Sequence, residues 1–263
     1  MAGLGSVRFA PAAREFGAAA SVMVSTDWPL AACMAAQYAG WEIKGKNFFA
    51  MGSGPMRAAA AVEPFFTEPS MAAFVEKPEV AVGVLECAKF PPEEVLANLA
   101  AKCGVESKNL IVMAAPTRSL AGTVQIVARS IETAMHKLHE LGFDLTRVAS
   151  GIGTAPLPPP AENDLAAIGR TNDAILYGGE VTLFVRGDNA SLEEIGPQIP
   201  SASSLDHGEP FAKIFSRFGG DFYKLDRRLF SPAVVTLSNL DTGRSFRFGA
   251  MLPEVVRESF GTD

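Results

Sequence analysis

The sequence predicts an α/β or α+β protein in which strands and helices interleave along the whole chain. Three observations predict it. Apolar runs of strand length recur, namely SVMVST, VAVGVLEC, NLIVMAA, VTLFVRG and AVVTLSN. Between them lie segments with helix-start residues and helical periodicity, such as PPEEVLANLAAKCG. With 48% hydrophobic residues in 263, the chain can bury one large core or two smaller ones.

The elements follow in order. SVMVST at 21–26 is a strand, and Pro29 then opens the small-residue helix PLAACMAAQYAG, with Asp27 of STDWP as its candidate N-cap. NFFAMGSGP runs apolar into a glycine turn and becomes helical at MRAAAAV. Residues 80–87 form a buried strand, PPEEVLANLAAKCG is a helix closed by Gly104, and NLIVMAA is the next strand. A single long helix is expected over 117–141. In SGIGTAPLPPP, 150–160, four prolines and two glycines argue against regular structure. That stretch is expected to be a junction between lobes or an ordered loop at a site. VTLFVRG and AVVTLSN are strands, and Asp241-Thr242-Gly243 turns the second into RSFRFG as a hairpin.

Composition excludes several classes. Lys plus Arg number 23 against 29 Asp plus Glu, a net charge of −6, and no basic run suggests a nucleic-acid surface. Three cysteines without CxxC spacing point to reduced, buried thiols. The first residues show no signal peptide, and no apolar run reaches the ~18 residues of a membrane span. A soluble, cytoplasmic protein is expected.

The densest chemistry lies in ARSIETAMHKLHELG, 128–142. Continued from Val124 as one helix, Val127, Ile131, Met135 and Leu138 make an apolar stripe, flanked by Arg129, Glu132, His136 and His139. Ser130, Thr133, Lys137 and Glu140 would then face outward. Glu132, His136 and His139 share a face, but HxxH with Glu four residues earlier is no zinc signature, and only His207 remains to supply another histidine. Arg129 and Glu132 are either an ordinary i, i+3 ion pair or a general base with its orienting guanidinium. In AMGSGPMR, Gly52, Ser53 and Gly54 precede a helix start, and Arg57 follows. That is an anion-tolerant turn or simply a tight turn with Pro55 at its first helical position. In GRTNDAILYGG, Arg170 and Asp173 read as a structural pair, with Asn172 between them. No nucleophile elbow is present.

Taken together, STDWPLAACMAAQYAGW, FFAMGSGPMRA, ARSIETAMHKLHELGFD, SGIGTAPLPP, GRTNDAILYGG and IPSASSLDHGEPFAKIF resemble the methenyltetrahydromethanopterin cyclohydrolases, in order from about Ser21 to Phe260. The resemblance implies hydrolysis of 5,10-methenyltetrahydromethanopterin to the 5-formyl compound, a one-carbon step of methanogenic and sulfate-reducing archaea and methylotrophic bacteria. It implies two α/β lobes with the pterin pocket between them, a homotrimer, and no metal or redox cofactor. The family's catalytic Arg and Glu, three residues apart, match Arg129 and Glu132. Gly52, Ser53, Gly54, Arg57, Arg170, Asn172 and Asp173 are carried as substrate-binding residues, the glycine turn and Arg57 toward an acidic part of the tail. The substrate is tetrahydromethanopterin-based or its dephospho form, with no nucleic-acid or membrane partner.

Two departures accompany the resemblance. Family members begin with a further helix and strand, so Met1 is expected to be an internal methionine with that segment missing. Trp28 also stands where STDHP is the usual form. Competing expectations are another one-carbon pterin enzyme, such as a formyl transferase, or a degenerate pterin-binding subunit.

Overall fold

A computed structural model describes residues 3–38, 40–221 and 224–262. Met1 lies outside them. The chain opens with β1 (Gly5–Ala10) and β2 (Ser21–Thr26), then a π-helix, Leu30–Gln37. The hairpin β3 (Trp41–Gly45) and β4 (Phe48–Ser53) leads to the short helices α1 (Met56–Ala60) and α2 (Pro69–Ala72). A parallel unit follows, β5 (Ala81–Glu86), α3 (Glu93–Lys102) and β6 (Leu110–Ala115). Next come α4 (Leu120–Val127) and α5 (Ser130–Glu140), then β7 (Val148–Pro156), α6 (Asp164–Leu176), β8 (Glu180–Val185) and α7 (Asn189–Ile195). The last elements are α8 (Phe211–Arg217), β9 (Val234–Asn239), β10 (Ser245–Gly249) and α9 (Pro253–Phe260).

The strands form two sheets, β1-β2-β7-β8-β9-β10 and β3-β4-β5-β6. Each sheet has its own core. Val22, Val24, Ile131, Met135, Leu183, Val235 and Leu237 belong to the larger one. Trp41, Ile43, Phe48, Met56, Leu85, Val95 and Leu99 belong to the smaller. The mixed α and β class is therefore as expected, and each predicted strand is present in place. No helix among the described residues is long and apolar enough to cross a membrane.

Several expectations are corrected, each for a physical reason. The stretch at 150–160 is not irregular, because its first half is β7, hydrogen-bonded between β2 and β8. Its glycines serve contact instead. A Cβ on Gly153 would stand 2.4 Å from Ser130 Oγ, and one on Gly151 would stand 3.1 Å from Ile131. They let α5 press onto the strand. The chain leaves the six-stranded sheet after β2, builds the smaller sheet, and returns through β7, so 150–160 is not where the two sheets part.

The helix expected over 117–141 is broken. Ser119 caps α4, its hydroxyl accepting from Gly122 N at 3.0 Å. Gln37 Nε2 donates to Ala128 O at 2.9 Å, drawing that carbonyl out of the helical ladder. Arg129 then sits before α5 with φ −87 and ψ 8. The break resets the helical phase, so Lys137 is buried rather than facing outward. Its ammonium donates to Ser203 Oγ at 3.1 Å and to Arg228 O. Asp27 does not cap the π-helix, which has no side-chain cap; Thr26 Oγ1 takes the Trp28 N–H at 3.0 Å instead.

Gly54 carries the sharpest backbone demand near the site. Its φ is +90, and an added Cβ would lie 3.2 Å from Val84 N and 3.3 Å from Val82 O, both backbone atoms that cannot swing aside. Gly104 also has positive φ (+70), but with nothing within 4 Å. Gly104→Ala is expected to cost about 1 kcal/mol from conformation alone. Gly54→Ala should cost about 2–4 kcal/mol, since strain and overpacking add. Urea midpoints of the two variants compare them directly, and equal losses would refute the close-approach account.

Candidate active site

The break between α4 and α5 turns the Arg129 side chain back into the protein. Its Nη1 donates to Gln37 O, and its Nη2 donates to Gln125 Oε1 at 2.8 Å and Ser53 Oγ at 3.3 Å. Gln125 lies one turn earlier on α4, so its amide reaches Arg129 on one side and Glu86 on the other. Its Nε2 donates to Glu86 Oε2 at 2.9 Å, while Thr117 Oγ1 donates to Glu86 Oε1 at 2.6 Å. A continuous chain of hydrogen bonds thus runs from Thr117 through Glu86 and Gln125 to Arg129.

Arg129 forms part of the wall of two adjoining cavities, which also share Ile126 and Asn172. One, about 950 Å³, lies between the small sheet and α6 and is lined by Phe48, Met51, Glu86, Ile168 and others. The second, about 530 Å³, contains Glu132, Tyr38, Thr133, His136 and Phe230. Pockets of this size suit a small-molecule ligand, and a seam between sheets is a usual place for one.

Glu132 is only 6% exposed. Among the described residues it receives no hydrogen bond and makes no ion pair, although it borders the cavity. The ordinary i, i+3 salt bridge is not made; Arg129 donates to Gln37, Gln125 and Ser53 instead. Burial pushes the Glu132 carboxyl up from 4.5 to about 7, opposed by the nearby positive charges of Arg129 and then Arg57. Burial also works against the charge on Arg129, yet a guanidinium stays protonated at any ordinary pH. The result is a carboxyl poised near neutrality beside a fixed cation, suited to general acid–base chemistry.

The two histidines of the same helix do other things. His136 stacks on Tyr38, with ring centroids 4.9 Å apart, and burial pushes it down to about 4, so it is neutral at pH 7. His139 Nε2 is paired with Glu68 Oε2 at 2.9 Å. The three side chains do not converge, and no group of three or more His, Cys, Asp or Glu among the described residues could hold a metal ion.

Other expected substrate residues are placed differently. Arg57 is fully buried, its fork bonded to both oxygens of Glu63 at 2.7 and 2.8 Å and to Met34 O at 2.6 Å. It cannot receive an acidic tail, and it is a structural ion pair stacked against Tyr38 at 5.0 Å. Gly52 lies within β4, and Gly54 N already donates to Ala36 O at 2.7 Å, so the turn offers no free anion cradle. Ser53 reaches the site as a partner of Arg129. Arg170 ties down Ser259 O, Pro159 O and Pro160 O. Asp173 accepts from Phe211 N at 2.8 Å and fixes the start of α8, so neither lines either cavity. Asn172 alone of the three borders both. GRTNDAIL lies in α6, which separates Asn172 from Arg170 and Asp173 by helical phase.

Sequence reasoning missed Tyr38, Glu86, Thr117 and Gln125. A signal existed for Glu86 and Thr117, since they sit at the carboxyl ends of the parallel strands β5 and β6, where ligands of open α/β sheets bind. Gln125 lies four residues before Arg129, a spacing that brings side chains together on a helix.

A family model described as "Cyclohydrolase (MCH)" matches residues 1–260. The chain belongs to the methenyltetrahydromethanopterin cyclohydrolase family. A Rhodopirellula baltica protein named methenyltetrahydromethanopterin cyclohydrolase is 45% identical over 260 residues, covering 98% of this chain and 78% of that protein. A Methylosinus trichosporium protein of the same name is 44% identical over 261 residues, covering 99% of each. One from Methanocella arvoryzae is 44% identical over 240 residues, 91% of this chain and 74% of that protein. In this chain the ARSIE sequence places Arg129 where two cavities adjoin.

The Glu132 carboxyl carries a pH signature. The folded protein holds its proton up to about pH 7, whereas an unperturbed carboxyl releases it near 4.5. Between those values the folded state binds more protons than the unfolded, so this group's contribution to stability falls as pH rises and is fully lost above about 7. Glu132→Gln is expected to match the wild type near pH 4 and to exceed its stability at pH 8 by about 1–3 kcal/mol. Urea titrations across that range test this, and parallel pH profiles would refute the buried, raised carboxyl.

Proposed function

We propose that the chain hydrolyses 5,10-methenyltetrahydromethanopterin to 5-formyltetrahydromethanopterin, reversibly, with Glu132 as general base. The observation that carries this is the Glu132 carboxyl itself, buried at a cavity wall, raised to about 7, and bonded to no described residue. Its free lone pairs suit a water molecule.

The methenyl carbon lies between two nitrogens of an amidinium cation and is already electrophilic. Water adds to it while Glu132 takes one water proton. The bond to nitrogen 10 then breaks, and Glu132 returns that proton to the departing nitrogen. The remaining hydroxyl proton is released as the formyl carbonyl forms, so the substrate's positive charge leaves as a proton. Ionised Glu132 also complements the bound cation. Arg129 stays protonated throughout and acts as a fixed charge that keeps Glu132 from rising further. This chemistry calls for no metal and no redox cofactor. The substrate's pterin is either tetrahydromethanopterin or its dephospho form, and the trimer expected of the family is part of the same proposal.

Glu132→Gln is expected to bind pterin yet lose turnover by about 10²–10⁴-fold, since an amide cannot accept the proton. Arg129→Lys should lose an intermediate amount, because an ammonium cannot serve Gln37 O and Gln125 Oε1 with a planar fork. The double variant should be little worse than Glu132→Gln alone, as residues acting as one unit share one loss. Absorbance of the methenyl chromophore, with no acceptor added, follows the reaction and separates hydrolysis from formyl transfer. Near-normal turnover in Glu132→Gln would refute the base.

Exhaustive chelation should leave that rate unchanged, and a chelator-sensitive, metal-restored rate would sink the metal-free proposal. Sedimentation should give three times the 27.8 kDa chain mass.

A further inference from the structure

Glu86 is a second carboxylate on the site, and the hydrolysis just described does not use it. It ends β5 and lines the larger cavity, whose wall also includes Phe48, Met51, Ile126 and Ile168. Each of its oxygens accepts one bond, from Thr117 and from Gln125. A carboxylate has about four acceptor positions, so about one on each oxygen remains for a ligand. The geometry is therefore a cavity with apolar side chains in its wall and an oriented pair of acceptors beside them.

We propose that Glu86 binds the pyrimidinone edge of the pterin and sets specificity for it. The 2-amino group and N3–H of a pterin are adjacent donors, spaced like two arms of a guanidinium, and a carboxylate meets that fork with two parallel bonds. The flat ring would lie between the apolar walls. The reactive end is then directed through the shared boundary at Arg129 and Asn172 toward Glu132. This assignment rests on the cyclohydrolase reading for the identity of the pterin.

A structural role for Glu86, merely steadying Gln125 and so Arg129, predicts something different, and a swap separates the two. Glu86→Gln leaves one oxygen and one NH₂ where two acceptors stood, so either the Thr117 hydroxyl turns to accept or Gln125 turns over and withdraws its oxygen from Arg129. KM should rise on the order of 10–100-fold, the range for losing charge-assisted hydrogen bonds, and kcat should fall to the extent that Gln125 turns from Arg129. In the double variant Glu86→Gln/Gln125→Glu, an amide again meets a carboxylate, and Arg129 regains an acceptor. Its kcat should return toward the wild-type value while its KM stays high. Calorimetry with 6-methyltetrahydropterin and its 2-desamino analogue should show a clear preference for the first in the wild type and none in the double variant. A double variant that recovers KM, or keeps the preference, would overturn the assignment. So would a wild type that binds both compounds equally, a result needing no variant to fold. Calorimetry reads this preference whether or not the chain turns over. A wild type that prefers the 2-amino compound but hydrolyses no methenyl substrate would sink the proposed activity while supporting Glu86 as its pterin contact.

Discussion

A pair of reciprocal hydrogen bonds joins Gln37 to the break between α4 and α5. Gln37 Nε2 holds Ala128 O, and Arg129 Nη1 holds Gln37 O. The carbonyl of Ala128 is engaged by Gln37 where α4 ends, and the guanidinium of the next residue is turned inward. Because a buried unpaired acceptor or cation would be costly, the two bonds stabilise each other. The end of the π-helix thereby fixes where Arg129 stands, and Arg129 stands where the two cavities meet. The rephasing of α5 places Glu132 at the cavity wall and Lys137 in the interior as two results of one break.

Around that junction, burial sets protonation more than any single partner does. Desolvation is the leading cause for Glu132, His136 and Lys137, which move up to about 7, down to about 4 and down to about 8. Each shift favours the neutral form, as expected where water is scarce. The protein answers differently at each position. Lys137 keeps a hydroxyl and a carbonyl as acceptors, and His136 keeps a stacking partner in Tyr38. Glu132 is left facing the cavity. Of the three, Glu132 is the one with the least protein support and a cavity in front of it. Arg57 and Arg129 contribute positive charge from fixed positions without offering Glu132 a bond.

The seam between the sheets supplies the second half of the site. The smaller sheet is inserted between β2 and β7, so its strand ends at Glu86 and Ala115 face α4 and α6 of the larger core. Gln125 spans that seam, bonding Glu86 on one side and Arg129 on the other.

Much of this was legible in the residues. Alternating runs such as VAVGVLEC and VTLFVRG could bury a face only as strands, and the Asp241-Thr242-Gly243 turn could close only a hairpin of that register. The local motif ARSIE marked Arg129 and Glu132 as either an ion pair or a base with its orienting guanidinium, and the family resemblance pointed to the second. Helical periodicity, however, could not see the break, because its cause lies 91 residues away, at Gln37. Lys137 likewise read as exposed, and SGIGTAPLPPP as a junction or an ordered loop, although its glycines lie in a strand and make the space that α5 occupies. Arg57 looked available because sequence shows a positive charge but not Glu63 folded against it. Glu86, Thr117 and Gln125 are far apart or unremarkable in the chain and become one network only when β5, β6 and α4 meet. Local patterns determined which elements form, since backbone and side-chain periodicity are short-range; which side chains share a cavity was decided by packing between segments, which only the tertiary structure contains.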